Sequence, residues 1–499
     1  MEKQLPNGWK SPKLDELIIF KLGGDWGKEP EFNDSDYVEV RCIRASELRN
    51  WSEEKGETAA LRKIKKSSLA KRELQAGDIL VEISGGGPEQ PVGRTVLIDK
   101  SVLAKNAESK KVCTNFFRLI RPSCKVNAKY LNIFLQYFYA SGKISEFQSG
   151  SNNLRNLKFN DYLQINVPLA SEKEQESIVA KIEELFSELD SGIASLKTAQ
   201  EQLKIYRQAL LKHAFEGKLT EQWRKDNTDK LETPEQLLAR IQTERETRYQ
   251  QQLEEWKQEV KAWEENGKDG RKPRKPKITK LDSDMPLGDF VEIPNSWAWC
   301  QFGSLYEMIS GFAFKKADYS NSGVRLFQIA NVSFSKTLWD EVTYLPEIFT
   351  KKFPELVLEE NDVVMALNRP MLGDRLKVTK LSKADTPSIL YQRVGKFIFY
   401  NTDISSYFLY FLQSTQFTSK LKEELRGVNI PFINQTRLAK YYIPICSVSE
   451  QQEIVNQLEE KLSIIEQNEK EIESALAKAE LLRQSILKKA FSGRLIYKE

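Results

Sequence analysis

The chain has 499 residues, 40% hydrophobic and 29% charged, a balance that fits several packed domains rather than one domain or a disordered polymer. Its 75 basic and 71 acidic side chains leave a net charge of only +4, which excludes a protein held on nucleic acid by bulk charge alone. A single histidine, His213, and five scattered cysteines (Cys42, Cys113, Cys124, Cys300, Cys446) without metal-ligand spacing take away the usual parts of acid–base, metal-assisted and disulfide chemistry. No apolar run reaches the roughly 20 residues of a membrane span, the start lacks a secretory leader, and a reducing cytoplasm is the expected location.

Residues 1–170 predict an α+β domain. Short β-like runs at Tyr37–Val40, Ile79–Ile83 and Thr95–Ile98 alternate with turns, and a helix is expected over Ala128–Tyr139. Residues 171–220 predict one long helix. Its apolar stripe runs through Ile178, Ile182, Leu185, Leu189, Ile193, Leu196, Leu203, Tyr206 and Leu210, with Ser171 as the cap and Gly217 as the stop. At 1.5 Å per residue, about 40 residues span roughly 60 Å. In residues 221–284, Thr233-Pro234-Glu235-Gln236 reads as a capping box that opens a third helix, striped through Leu237, Ile241, Tyr249, Leu253, Trp256, Val260 and Trp263 to about Glu265. A basic, proline-punctuated run follows at 267–277, expected to be a solvated tether with stray phosphate contact as the weaker reading. A second α+β domain is expected over 285–446, with strands at Leu356–Leu358 and Asp362–Leu367 and a helix over Ser405–Leu425. A second long helix is expected over 447–499, its apolar stripe running through Ile454, Leu458, Leu462, Ile465, Ile472, Leu476, Ala479, Leu482 and Ile486, with Ser449 as its cap and Gly493 as its stop.

These segments repeat. Pro168 faces Pro444 and Leu219 faces Leu495, an offset of 276 at both ends with no gap between. Glu174-Gln175 thereby meets Glu450-Gln451, and the run from Arg207 through Ala214-Phe215-Glu216-Gly217 meets the run from Arg483 through Ala490-Phe491-Ser492-Gly493. Each α+β domain opens alike, as Pro6-Asn7-Gly8-Trp9 and Pro294-Asn295-Ser296-Trp297, and Gly77-Asp78-Ile79-Leu80 recurs as Asn361-Asp362-Val363-Val364. Two copies at this spacing are a duplicated domain pair, not a solenoid.

A Pro-x-x-Trp opening, a Gly-Asp-Ile/Val strand and a Gly…Asn…Leu…Pro…Glu-Gln passage lead each time into a helix ending Ala-Phe-x-Gly-Lys/Arg-Leu. The passage stands as Gly150…Asn152-Asn153…Leu163…Pro168…Glu174-Gln175, then as Gly427…Asn429…Leu438…Pro444…Glu450-Gln451. In this order the motifs resemble the DNA-specificity subunit of Type I restriction-modification systems. The resemblance implies an α+β fold of two target-recognition domains, separated by long helices that form an antiparallel coiled coil with a pseudo-twofold repeat. It implies a non-catalytic subunit that recognises an asymmetric two-part site on double-stranded DNA. It also implies two methyltransferase subunits and restriction/translocase subunits as partners, which carry S-adenosylmethionine, ATP and Mg; no cofactor is expected on this chain. The central helix and basic run depart from a minimal pattern of that kind.

Candidate DNA-contacting residues fall on corresponding loops. Ser84, Gly85 and Gly86, with Arg94 and Thr95, offer backbone N–H groups and a cation. Asn152, Asn153, Arg155 and Lys158, and in the second copy Asn429, Asn434, Gln435 and Arg437, suit adenine and guanine edges. Asn368, Arg369 and Arg375 lie in the loop that matches the Gly85 loop. For any one of these an ordinary solvated surface position is the competing reading. Asn429-Ile430-Pro431-Phe432 resembles a methyltransferase motif only superficially, and no Walker loop is present. A single-chain DNA methyltransferase or nuclease with a degenerate site, and a coiled-coil protein without DNA specificity, are the competing functions.

Overall fold

The computed structural model describes residues 5–86, 90–150, 155–268, 272–273, 275–276, 290–426 and 431–496. The chain divides into two compact units, Met1–Thr198 with Glu471–Glu499, and Ala199–Lys470. The division falls inside both long helices, Glu172–Phe215 and Val448–Ala490. The five segments read along the sequence are therefore regrouped: the last helical turns of the chain fold with the first domain.

In the first unit a four-stranded antiparallel sheet has the order Ile18–Gly23, Phe117–Pro122, Ile79–Glu82, Thr95–Leu97. Beside it Tyr37–Ile43 pairs antiparallel with Ala60–Lys65 and parallel with Lys111–Cys113. The helix Ala128–Ala140 lays Tyr130, Leu131, Phe134 and Leu135 into a core shared with Ile178, Val179 and Ile182 and with Ile486, Leu487, Ala490 and Phe491. The Phe491 ring meets Tyr130 and Phe134 edge-on, with centroids 5.3 and 5.2 Å away, and the Tyr130 hydroxyl donates to the Pro168 carbonyl at 2.7 Å.

The second unit repeats this plan. Tyr306–Ser310, Val394–Phe399, Val363–Ala366 and Val378–Lys380 form the same sheet, and Val324–Phe327 runs parallel to Ser388–Leu390 in its neighbour. Here Phe215 takes the place of Phe491, edge-on to Tyr407 and Phe411 at 5.1 and 5.0 Å. The Tyr407 hydroxyl donates to the Pro444 carbonyl at 2.7 Å. The single helix expected over 405–425 is two, Ser405–Gln413 and Thr415–Glu424, because Ser414 is extended and its hydroxyl caps Phe411 O.

The recurring Gly-Asp turn is the same object twice. Gly77 and Asn361 both have positive φ, and Asp78 and Asp362 each accept from the backbone N–H three residues upstream, at 2.7 Å. The helix stops also hold. Gly217 and Gly493 sit at φ +72° and +69°, and Lys218 N and Arg494 N each donate back to the carbonyl five residues before. A Cβ on Gly217 would lie 2.3 Å from Pro294, and one on Gly493 would lie 2.0 Å from Pro6, so each stop is pressed against a domain opening. Ser171 is the first cap, bonded to Glu174. Ser449, by contrast, lies inside the second helix. Ser447, the residue in register with Ser171, takes the cap position and accepts from Glu450 N at 3.4 Å.

In each unit the paired helix segments run antiparallel. Arg207 meets Glu469 at 3.2 Å while Thr220 and Arg224, further along, meet Glu450. In the first unit Arg483 pairs with Asp190, and Ile178–Ile182 pack against Ile486–Phe491. Two residues expected on the buried stripes do not lie there: Tyr206 is 52% exposed and Leu482 is 51% exposed.

The central helix, Pro234–Glu265, carries the expected capping box and buries Leu237, Ile241 and Arg245 in the second unit. Gln252 donates to Glu307 at 2.9 Å. Beyond it, Pro273 O accepts from Trp256 Nε1 at 3.1 Å, and the Lys272 and Lys275 ammoniums sit over Trp263 and Trp256. Lys272, Pro273 and Lys275 thus touch the helix by these contacts, while both lysines stay exposed, as a solvated run requires.

Truncating either terminal aromatic opens a cavity that its neighbours cannot close. Phe491→Ala should destabilise by about 3–5 kcal/mol, with hydrogen exchange rising in Ala128–Ala140 first; Phe215→Ala should do the same in Ser405–Gln413. Exchange that stays unchanged in both helices would show that these rings are not structural locks.

Candidate nucleic-acid interface

The loops that follow the central strand of each four-stranded sheet are built alike. In the first unit Ser84–Gly86 leaves Ile79–Glu82 and pairs with Arg155–Leu157, Asn156 facing Ser84 and Arg155 facing Gly86. Arg155–Leu157 also pairs with Gln148–Ser149. In the second unit the equivalent contact is a single bridge between Asn368 and Phe432, held further by Arg369 N donating to Pro431 O at 2.8 Å and Ile433 N to Leu367 O at 2.7 Å. Two segments about 70 residues apart in sequence are thus brought to one edge in each domain.

That edge sorts the candidates. Ser84, Gly85, Gly86, Arg155 and, just beyond, the exposed Lys158 come together in the first unit. Gly85 has φ +107°, which a Cβ would strain, and its own Cβ position is open to solvent. Arg94 and Thr95 leave this surface. The Arg94 guanidinium is bound to buried Glu82, with Nε at 2.8 Å from Oε2, and this ion pair holds its pKa above the ordinary value. Thr95 is 4% exposed, in the strand paired with Ile79–Glu82. Asn152, Asn153 and Asn429 lie outside the described residues.

In the second unit Asn368 and Arg369 occupy the edge itself. Asn434 caps the short helix Gln435–Leu438 by accepting from Arg437 N at 3.1 Å, and Gln435 is hydrogen-bonded to Ser310. Arg437 and Asn434 line a groove of about 650 Å³ together with Phe432, Glu424 and Lys440. Arg375 stands apart on the hairpin Met371–Leu372/Arg375–Leu376, its guanidinium 4.4 Å from the Phe334 ring centroid. Desolvation there, with Arg207 nearby, lowers its pKa from the usual guanidinium value, though it stays charged at any working pH. Sequence reading missed Asn156 and Phe432, the exposed partners of the two edges, which come opposite Ser84 and Asn368 only through strand pairing.

The arrangement offers backbone donors, amides and guanidiniums on turns fixed by strand pairing, which is chemistry for hydrogen-bonding an ordered polar ligand. Among the described residues there is no group of three or more metal-ligating side chains, and no helix is long and apolar enough to cross a membrane.

Residues 294–475 match the family described as Type I restriction modification DNA specificity domain. The chain is similar in sequence to the specificity subunits of several Type I restriction enzymes. It is 36% identical over 205 residues to the MjaVIII specificity subunit of Methanocaldococcus jannaschii, covering 41% of this chain and 47% of that one. It is 31% identical over 284 residues to the EcoAI specificity subunit of Escherichia coli, covering 56% and 44%. With the EcoDI specificity subunit of Escherichia coli the match is 26% over 501 residues, 99% of this chain and 90% of that one. The chain therefore spans about half the length of the first two curated relatives and nearly all of the third. Its fold follows, end to end, a chain from a study of assembly and conformational transition in a type I R-M system, with TM-score 0.63 and 16% identity, covering 99% of this chain and 100% of that chain. It also follows the HsdS subunit of Thermoanaerobacter tengcongensis, with TM-score 0.51 and 16% identity, covering 99% of both chains.

The two kinds of arginine separate in experiment. Arg94→Ala leaves Glu82 buried without its partner and should destabilise by about 3–5 kcal/mol. Arg155→Ala should stay within about 0.5 kcal/mol of the native stability and weaken duplex DNA binding instead. Chemical denaturation beside a binding titration checks both.

Proposed function

We propose that the chain is the DNA-specificity subunit of a Type I restriction-modification complex and reads an asymmetric, two-part site on double-stranded DNA. One observation carries the reading: a single recognition frame occurs twice, with the same strand-paired edge in each unit, and the residues on the two edges differ. Equal frames call for two half-sites, and unequal edges call for different sequences in them. Nothing in this reading asks the chain to perform chemistry. S-adenosylmethionine, ATP and Mg are assigned to partner subunits.

Partner docking falls on the repeated helices. In the second unit Ile205 is 70% exposed beside Tyr206, and at the same register in the first unit Leu481 is 71% exposed beside Leu482. A pair of large apolar side chains left in water on each copy of a duplicated helix suits two copies of one partner, here the methyltransferase subunit.

Mapping modified adenines across the genome tests the function, in cells carrying the gene with its neighbours and in cells lacking only this gene. Loss of methylation at a two-part motif with a fixed unspecified spacer is the expected result; an unchanged pattern beside active methyltransferase subunits would refute it. For docking, Ile205→Glu with Leu481→Glu should release both methyltransferase copies in size-exclusion chromatography while the chain stays folded. Retention of both copies would rule this surface out.

A further inference from the structure

Resting on the proposed DNA recognition, we propose that Arg369 and Arg393 form a guanine-reading pair of the second recognition domain. Both are exposed, and neither side chain makes a hydrogen bond or ion pair among the described residues. Both also hold a left-handed backbone, φ +45° and +72°, a conformation that costs any residue with a Cβ and that most turns give to glycine or asparagine. Two arginines in that state, on two different turns at one end of the same sheet, are an unusual coincidence for a surface with no use for them.

The surroundings fix where they point from. Leu367 N donates to Arg393 O at 2.8 Å and Arg369 N to Pro431 O at 2.8 Å, so the two turns are pinned to neighbouring strand ends, Val363–Ala366 and Val394–Phe399. Phe312, 50% exposed, adjoins the first through Gln392 N donating to its carbonyl at 3.0 Å, and Phe432, 57% exposed, bridges Asn368 beside the second. A partly apolar, water-shedding rim around free guanidiniums strengthens their hydrogen bonds to an incoming acceptor. Guanidinium geometry matches the O6 and N7 acceptors of guanine in the major groove. The first unit has the same corner with other residues. Gly85 stands for Arg369, again at positive φ, and Phe116 stands for Arg393, with Ile83 N donating to its carbonyl at 2.8 Å. These two positions are cationic in one domain and uncharged in the other, where the cations of the edge are instead Arg155 and Lys158, so they carry part of the difference between the two half-sites.

The test uses the chain assembled with its methyltransferase subunits. Glycine adopts positive φ freely, so Arg369→Gly and Arg393→Gly keep or raise thermal stability while removing the guanidinium; a residue held there for structure would show a fall instead. The native half-site read by the second domain, assigned through a chain in which only residues 294–445 are exchanged, contains a guanine. At that position each glycine variant loses about tenfold to hundredfold in discrimination, while the other positions stay fixed. Binding that weakens equally on all sequences, with a salt dependence reduced by about one ion, identifies phosphate contact and overturns base reading. An unchanged motif and affinity, or a half-site without guanine, overturns it as well. A native complex that methylates without any sequence preference would sink the specificity reading itself, which the variants alone do not touch.

Discussion

Two phenylalanines at the ends of two long helices hold the architecture together, because each closes the core of a domain that lies far from it in sequence. Phe491 meets Tyr130 and Phe134, and Phe215 meets Tyr407 and Phe411, in the same edge-on geometry. Each aromatic is followed by a left-handed glycine with no room for a side chain, pressed on the proline that opens the domain. The Ala-Phe-x-Gly ending is therefore a plug rather than a tail. Once both plugs are seated, the helices are drawn past one another antiparallel within each unit, and the loops that differ are left at the sheet edges.

The two copies are not energetically identical. Glu450 is fully buried and bound to Thr220, Arg224 and the Trp297 indole, at 2.8, 3.0 and 3.0 Å. Its counterpart Glu174 instead bonds Ser171 at the start of the first helix. One carboxylate works inside a buried charged cluster and the other as half of an exposed cap. A buried pair gives its stability only while every partner is present, so the second unit is the more sensitive of the two to single changes at this position.

Much of the frame was legible because it rests on periodicity and on residues with one backbone use. Ile178, Ile182, Ile454 and Leu458 are buried where the stripe places them, and Gly217 and Gly493 stop the helices as read. The errors share a cause, which is that pairing partners are invisible along one strand of text. Tyr206 and Leu482 satisfy three- and four-residue spacing yet face water, since spacing admits a band wider than the contact seam. Arg94 looked free because its partner Glu82 is brought opposite only by the pairing of Val81 with Thr95. The basic run after the central helix looked faceless because Trp256 and Trp263, spaced to catch it, were counted as part of the helix stripe. The strand-paired edge was half visible: its turns were found, whereas Asn156 and Phe432 emerge only once the strands are laid side by side.

The plug also sets an order of events during synthesis. The first domain's core contains Ile486, Leu487, Ala490 and Phe491, so that domain is translated first yet cannot be completed until almost the whole chain has left the ribosome. The second unit, which draws its plug from Phe215 and its other helix from Ile454–Ile465, has all of its parts earlier. At about 5–20 residues per second, the face around Tyr130 and Phe134 waits of the order of 15–60 s for its last contacts. Throughout that interval the socket for Phe491 stays open, so completion of the first unit is timed by synthesis of the second.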